Sequence, residues 1–187
     1  MHSPDESLAD TALLDRIVAR DAAALGLLYD RHSRVVFGLI LRILKDWAEA
    51  EEVLQEVFFL VWTRAETYNV ALGPPAGWLV RIGRNRAIDR LRANNVRTRA
   101  VEAASAPGQP VDSPEIWATA NERRLAVTRA LEALSPAQRH LIEQAYFLGL
   151  TQSELAERFQ MPLGTVKTRM RSGMLALRQQ LQQVVGQ

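Results

Sequence analysis

From Ala22 to Lys45 the apolar residues Leu25, Leu28, Tyr29, Val36, Leu39, Ile40, Ile43 and Leu44 recur at intervals of three and four. With about 3.6 residues per turn, that spacing gathers them on one stripe of a helix that must be covered by other elements. The same period predicts a helix from about Ala48 to Arg64, buried on Leu54, Val57, Phe58 and Val61. A third runs from about Ala76 to Ala93, buried on Val80, Ala87 and Leu91, and a short helix over Leu13 to Arg20 precedes all of these. Thr67 to Gly77, TYNVALGPPAG, reads as a loop from its glycine and proline content. The pattern then stops at Val101 to Pro114, VEAASAPGQPVDSP, where three prolines and small residues offer too little apolar surface to order themselves. It resumes over Glu115 to Leu134 with Leu125, Val127, Leu131 and Leu134. No strand-like alternation of any length occurs. The pattern predicts an all-α chain of two small helical domains, 11–98 and 115–185, joined by a flexible tether at 99–114.

The second domain carries the most specific local signals. Ser135 followed by Pro136 is an N-cap with proline at the first helical position, and Gln138 completes an S-x-x-Q pattern. Thr151, Gln152, Ser153 and Glu154 form a second capping box, which fixes a helix start at Thr151. Leu155, Ala156 and Phe159 supply its buried side, and Gln160, Met161 and Pro162 end it after about three turns. In the helix that follows from Gly164, Val166, Met170, Met174 and Leu177 are spaced for burial, while Thr165, Lys167, Thr168, Arg169, Arg171 and Arg178 occupy the other faces. Met161 to Arg178 holds four basic residues and no acid. The helix capped at Thr151, the tight turn at 160–162 and the basic helix after it make a helix-turn-helix suited to entering the DNA major groove N-terminus first. The alternative is a three-helix bundle with a merely solvated basic face, against which the capping box and tight turn weigh.

Charge changes the picture of the first domain. The 187-residue chain has a formal net charge of only +2, but Asp46 to Glu56 holds five acids and no base, and Arg81 to Arg99 holds seven arginines against Asp89. One surface is suited to a basic partner and another to an anion such as nucleic acid. On the acidic helix Glu52, Gln55, Glu56 and Phe59 mix carboxylates, an amide and a ring as docking patches do; a solvated acidic face with one stray aromatic fits equally well. On the basic helix Arg81, Asn85 and Arg92 share one face and Arg86 and Arg90 another. Tyr68 and Trp78 beside that helix combine aromatic faces with phosphate contacts, as single-strand binding requires, although Trp78 next to Leu79 and Ile82 also suits a core position.

Several classes of function are disfavoured. The chain has no cysteine, hence no disulfide, thiolate nucleophile or cysteine-bound zinc. His2, His32 and His140 are scattered without a ligand motif, and no phosphate-cradling glycine loop is present, so neither metal, cofactor nor catalytic group is expected. No apolar run approaches the ~20 residues needed to span a bilayer. The polar, acidic opening MHSPDESLAD is read as neither signal peptide nor anchor, which gives a cytoplasmic expectation, and no long extension is expected after the helix-turn-helix.

Four segments in this order resemble the extracytoplasmic-function class of bacterial sigma factors, the promoter-recognising subunits of RNA polymerase. LYDRHSRVVFGLILRIL resembles the family's region 2.1 and AEAEEVLQEVFFLVW its region 2.2. PPAGWLVRIGRNRAIDRLR resembles regions 2.3 and 2.4, and LSPAQRHLIEQAYFLGLTQSELAERFQMPLGTVKTRMR resembles region 4. The resemblance implies a non-catalytic subunit whose partners are RNA polymerase core, through the β′ coiled coil and the β flap, and promoter DNA. It implies core contacts at Glu52, Gln55 and Glu56 with Phe59 beside them. For the -10 element it implies Asn85 facing the unpaired strand, Arg81, Arg84 and Arg92 on the backbone, and the loop from Tyr68 to Pro75 receiving a flipped base. For the -35 element it implies Lys167, Thr168 and Arg171 with the helix start at Pro162, Gly164 and Thr165. It further implies control by an anti-sigma factor, in many members membrane-bound.

Two segments depart from the family's pattern. The basic tail that often follows the recognition helix is replaced by Ser172, Gly173 and Met174, and NVALGPPAG differs from the commoner F-x-P-x-x-G-S loop. Two other classes of function remain. A free-standing DNA-binding regulator is disfavoured by the arginine-rich helix of the front half, which shows no ligand pocket or receiver pattern. A helical mimic that sequesters a sigma regulator would not need Lys167, Arg169 and Arg171.

Overall fold

The computed structural model describes residues 9–101 and 131–185, with side chains for 9–96 and 131–180. Among these residues the regular structure is helical throughout. The first unit contains α1 (Asp10–Val18), α2 (Ala22–Leu44), α3 (Trp47–Arg64) and α4 (Pro75–Val101). Two single 3₁₀ turns, Ala65–Thr67 and Val70–Leu72, lie between α3 and α4. The second unit contains α5 (Pro136–Phe147), α6 (Gln152–Arg158) and α7 (Leu163–Val185). Helix α4 runs to Val101, past the end near Ala93 that its pattern suggested and through the first residues of the expected tether; the rest of the tether, 102–114, and most of the helix expected over 115–134 lie outside the described residues.

In the first unit α2 is the central element, packed on α1, α3 and α4. The stripe read from its sequence is largely the observed core: Leu28, Val36, Leu39, Ile40 and Ile43 are buried, and Val53, Leu54, Val57, Phe58 and Val61 of α3 meet them. Tyr29 is the exception, lying 41% exposed with its ring edge against Phe58. Full burial of such side chains stabilises by about 1.5–3 kcal/mol each before conformational entropy is set against it. The close approach of α4 to α2 depends on Gly83, where a Cβ would stand 2.8 Å from Val36 Cγ1. A β-branched side chain in a helix has little rotamer freedom with which to yield, so the missing side chain at 83 lets the basic helix sit this deep.

The connections are capped as their sequences dictate. Asp21 caps α2, its carboxylate accepting from the backbone N–H of Ala23 and Ala24, and Asp46 caps α3 by accepting from Glu49 N–H. Arg20 turns the chain between α1 and α2 at φ 66°. Its guanidinium donates to the Trp62 carbonyl at 2.6 Å and lies over the Trp62 ring, fastening this corner to the end of α3.

Helix α1 begins earlier than its apolar pattern suggested, at Asp10, because that residue ties it to α2. Arg31 Nη1 donates to Asp10 Oδ1 at 2.9 Å and His32 Nε2 to Oδ2 at 2.7 Å. Partial burial works against ionisation of this carboxyl, but the hydrogen bonds from Arg31 and His32 outweigh it and hold its pKa below the ordinary 3.8. A carboxyl depressed on folding adds stability above its unfolded pKa and loses it as pH falls through the folded value. Asp10→Asn is therefore expected to lower the stability of the first unit by about 1 kcal/mol at neutral pH. In paired denaturant titrations the difference should vanish as pH falls below the carboxylate range; a difference that persists in acid would mean the contact is not ionic.

In the second unit Leu141, Leu155 and Val166 form a buried cluster, flanked by Ala145, Leu150, Ala156, Phe159, Met161 and Met170. Both capping boxes read from sequence are formed, Ser135 with Gln138 and Thr151 with Glu154. Helix α6 is shorter than the three turns expected, spanning only Gln152–Arg158. The chain turns over at Gln160 with φ 50°, and the Met161 N–H donates back to the Ala156 carbonyl at 2.9 Å.

Met174 is a correction. It was expected on the buried face of α7 but is 54% exposed, and Gly173 is buried in its place. A Cβ at Gly173 would lie 2.8 Å from Ile142 Cδ1 and 3.3 Å from Gln138 Cβ. The neighbouring Ser172 accepts a hydrogen bond from Gln138 Nε2 at 2.9 Å. The segment that departs from a basic tail is thus where α7 packs on α5, and packing rather than charge explains its small residues.

Candidate nucleic-acid and protein interfaces

The acidic face belongs to α3. Phe59 is 67% exposed, and Gln55 and Glu52 also lie at the surface, with Glu56 half-buried on the side nearer α4. Residues three and four apart adjoin on a helix, so Glu52, Gln55, Glu56 and Phe59 form one continuous strip. The strip is not unpartnered. Arg90 of α4 donates from Nη1 to Glu52 at 2.9 Å and from Nη2 to Glu56 at 2.8 Å, and Asn94 donates to Glu49. Part of the charge asymmetry read from sequence is therefore satisfied internally, and Arg90 belongs to the acidic face. Hydrogen bonding to Glu52 and then the nearby charge of Glu56 raise the Arg90 pKa above its ordinary value.

The loop between α3 and α4 builds a small pocket. Tyr68 donates its hydroxyl to the Gly73 carbonyl at 2.9 Å and sets its ring edge-on to Trp78 at 5.6 Å. Asn69 accepts from Ala71 N–H and so caps the second 3₁₀ turn. Gly73 sits at φ 121°, a conformation that favours glycine. Around this frame lies a pocket of about 100 Å³ lined by Asn69, Leu72, Gly73, Gly77, Trp78 and Arg81. Trp78 is only 8% exposed, so it is a core residue whose remaining surface forms a pocket wall. Tyr68 supports that wall without being part of the lining.

Helix α4 carries cations outward from the pocket. Arg81, Asn85 and Arg92 are exposed, and their separations of four and seven residues place them on one side. Arg84 is half-buried and makes contacts of its own. Arg81 thus joins the pocket to the basic face, and three of the five residues expected at the -10 strand, Arg81, Asn85 and Arg92, share that side of the helix. Asn69 and Leu72 of the pocket lining lie within the loop from Tyr68 to Pro75 already expected to receive a base, although neither is marked individually by the sequence.

In the second unit the helix-turn-helix presents the start of α7. Pro162, Gly164, Lys167, Thr168 and Arg171 are exposed and Thr165 is half-buried, while Val166 between them is fully buried in the cluster with Leu155. The Thr168 hydroxyl donates to the Gly164 carbonyl at 2.9 Å, which leaves its oxygen lone pairs outward as acceptors. Arg169 turns back toward the Met161 sulfur. All six residues expected at the -35 element therefore lie on the first three turns of one helix or immediately before it.

Two family models match the chain: Sigma-70 region 2 over residues 28–97 and Sigma-70, region 4 over residues 130–179. The chain belongs to the sigma-70 family. Among curated proteins it is similar to the ECF RNA polymerase sigma factor SigK of Mycobacterium tuberculosis, 37% identical over 169 residues that cover 89% of this chain and 90% of that protein. The SigK of Mycolicibacterium vanbaalenii is 35% identical with 89% and 86% covered. Among solved structures, Rhodobacter sphaeroides SigE, in complex with the anti-sigma ChrR, is 32% identical with a TM-score of 0.49, covering 95% of this chain and 99% of that chain. As an extracytoplasmic-function sigma factor, the protein directs RNA polymerase core to specific promoters and takes part in transcription initiation. Among the described residues of this sigma factor, no helix is long and apolar enough to cross a membrane.

Proposed function

We propose that the faces described above divide the work of a sigma factor. Glu52, Gln55, Glu56 and Phe59 dock on the polymerase β′ coiled coil; Arg81, Arg84, Asn85 and Arg92, with the loop braced by Tyr68, hold the unpaired -10 strand. Pro162, Gly164, Thr165, Lys167, Thr168 and Arg171 bind the -35 duplex, and the same unit contacts the β flap. The functional domains are 11–98 and 115–185, with 99–114 as tether. The single observation that carries this reading is the pocket at Asn69, Gly73 and Trp78, which opens beside Arg81 on the face shared with Asn85 and Arg92.

The protein itself forms and breaks no covalent bond on this account. Contacts to the splayed strand offset the few kcal/mol lost when a base is unstacked, and the polymerase supplies the chemistry. Tethering two modest DNA-binding modules raises the effective concentration of each once the other is engaged. The protein acts in the cytoplasm, and an anti-sigma factor controls it by covering its polymerase-binding faces, as membership in this class suggests.

Asn85→Ala tests the assignment of the strand-reading face. The variant should form holoenzyme normally and lose most permanganate-reactive thymines at a cognate -10 element. Wild-type reactivity would remove Asn85 from the strand-binding surface.

A further inference from the structure

We propose that Arg90 is a built-in competitor for the acidic docking face, holding Glu52 and Glu56 until a cationic partner residue displaces it. The inference rests on the docking assignment above and names what regulates that site. Glu52 and Glu56 are one helical turn apart, and the Arg90 fork spans them with one nitrogen on each, at 2.9 and 2.8 Å. A lysine or arginine from a partner that approaches the same carboxylates meets lone pairs already accepting from Arg90. Arginine suits this role because its planar group can serve two carboxylates at once, whereas an ammonium is a single point charge.

Exchange is feasible because the carboxylate side of the contact faces solvent, although the Arg90 side chain is only 25% exposed. The Glu52 and Glu56 side chains are 67% and 43% exposed. Carboxylates that lose their partner there are rehydrated instead of stranded, and exposed pairs contribute only about 0–1 kcal/mol each. Such a clamp tunes affinity without forbidding binding. It is also separate from the strand-reading face: Arg90 follows Arg81 by nine residues, which at ~100° per residue places it half a turn around α4. Changing Arg90 should therefore alter docking while leaving the Arg81, Asn85 and Arg92 side in place.

The experiment is a titration of the full-length chain against bacterial core RNA polymerase, comparing wild type with Arg90→Met, Arg90→Lys and Glu56→Gln, with thermal melts confirming each fold. Arg90→Met keeps the length of the side chain and removes its charge. It should bind core about three- to tenfold more tightly. Arg90→Lys, able to hold one carboxylate well, should fall between, and Glu56→Gln should bind more weakly than wild type. If Glu56→Gln weakens binding while folded Arg90→Met binds no more tightly than wild type, the competitor role is overturned and the docking face stands. If Glu56→Gln leaves affinity unchanged, the docking assignment fails and the inference fails with it.

Discussion

Glu56→Arg is expected to reduce binding to core polymerase by about a hundredfold or more, while the first unit remains folded. The substitution reverses the charge at the centre of the exposed strip formed by Glu52, Gln55 and Phe59, so a basic partner surface meets repulsion where it met a carboxylate. It also places a second guanidinium beside Arg90, which lies 2.8 Å from Glu56 in the native chain. Glu56 is 43% exposed and Arg90 can still pair with Glu52, so the stability lost should be no more than about 1 kcal/mol. Co-elution with core polymerase, read beside a thermal melt of the free variant, separates the two effects. A folded variant that co-elutes like wild type would place core docking on another surface.

Lys167→Ala combined with Arg171→Ala should lower the slope of log affinity against log salt for -35 duplex by about 1.8, roughly 0.9 per phosphate contact removed. Both side chains are exposed on α7, and the fold there is carried by Val166 and Met170 packing against Leu155, so the pair can be removed without opening the core. The double variant should bind weakly at low salt and lose its remaining affinity less steeply than wild type as salt rises. An unchanged slope in fluorescence titrations would take both residues off the DNA backbone.

The elements that were legible in the sequence are those whose signal is local. The period of Leu28, Val36, Ile40 and Ile43 gave α2 and its buried side, and the pairs Ser135 with Gln138 and Thr151 with Glu154 gave two helix starts because both halves of each box lie within one turn. What was hidden depends on contacts between distant segments. The register of α7 was misread at Met174 because its spacing suits burial, whereas the approach of Ile142 and Gln138 from α5 selects Gly173, which has no side chain to displace. Spacing along α4 sets Arg90 beside Arg86, and nothing within α4 shows that α3 lies alongside with Glu52 and Glu56 within reach. Likewise Asp10 lies near the edge of a polar segment, and its role emerges only when α2 brings Arg31 and His32 to it. The internal role of Tyr68, its hydroxyl on the Gly73 carbonyl and its ring edge-on to Trp78, is also a contact that its residue type alone does not reveal. The chemistry of the candidate faces could thus be read from residue types, but their internal partners could not.

The most direct test of the proposed division of labour is transcription in vitro with the purified chain, bacterial core polymerase and a pool of templates carrying randomised upstream sequence. Discrete start sites should emerge that share two upstream elements at fixed spacing. Asn85→Ala should abolish selection at the nearer element, and the Lys167 and Arg171 double variant should relax it at the farther one. Binding of the chain to duplex DNA without association with core polymerase, and without defined start sites, would contradict the account and point to a regulator that works apart from the enzyme.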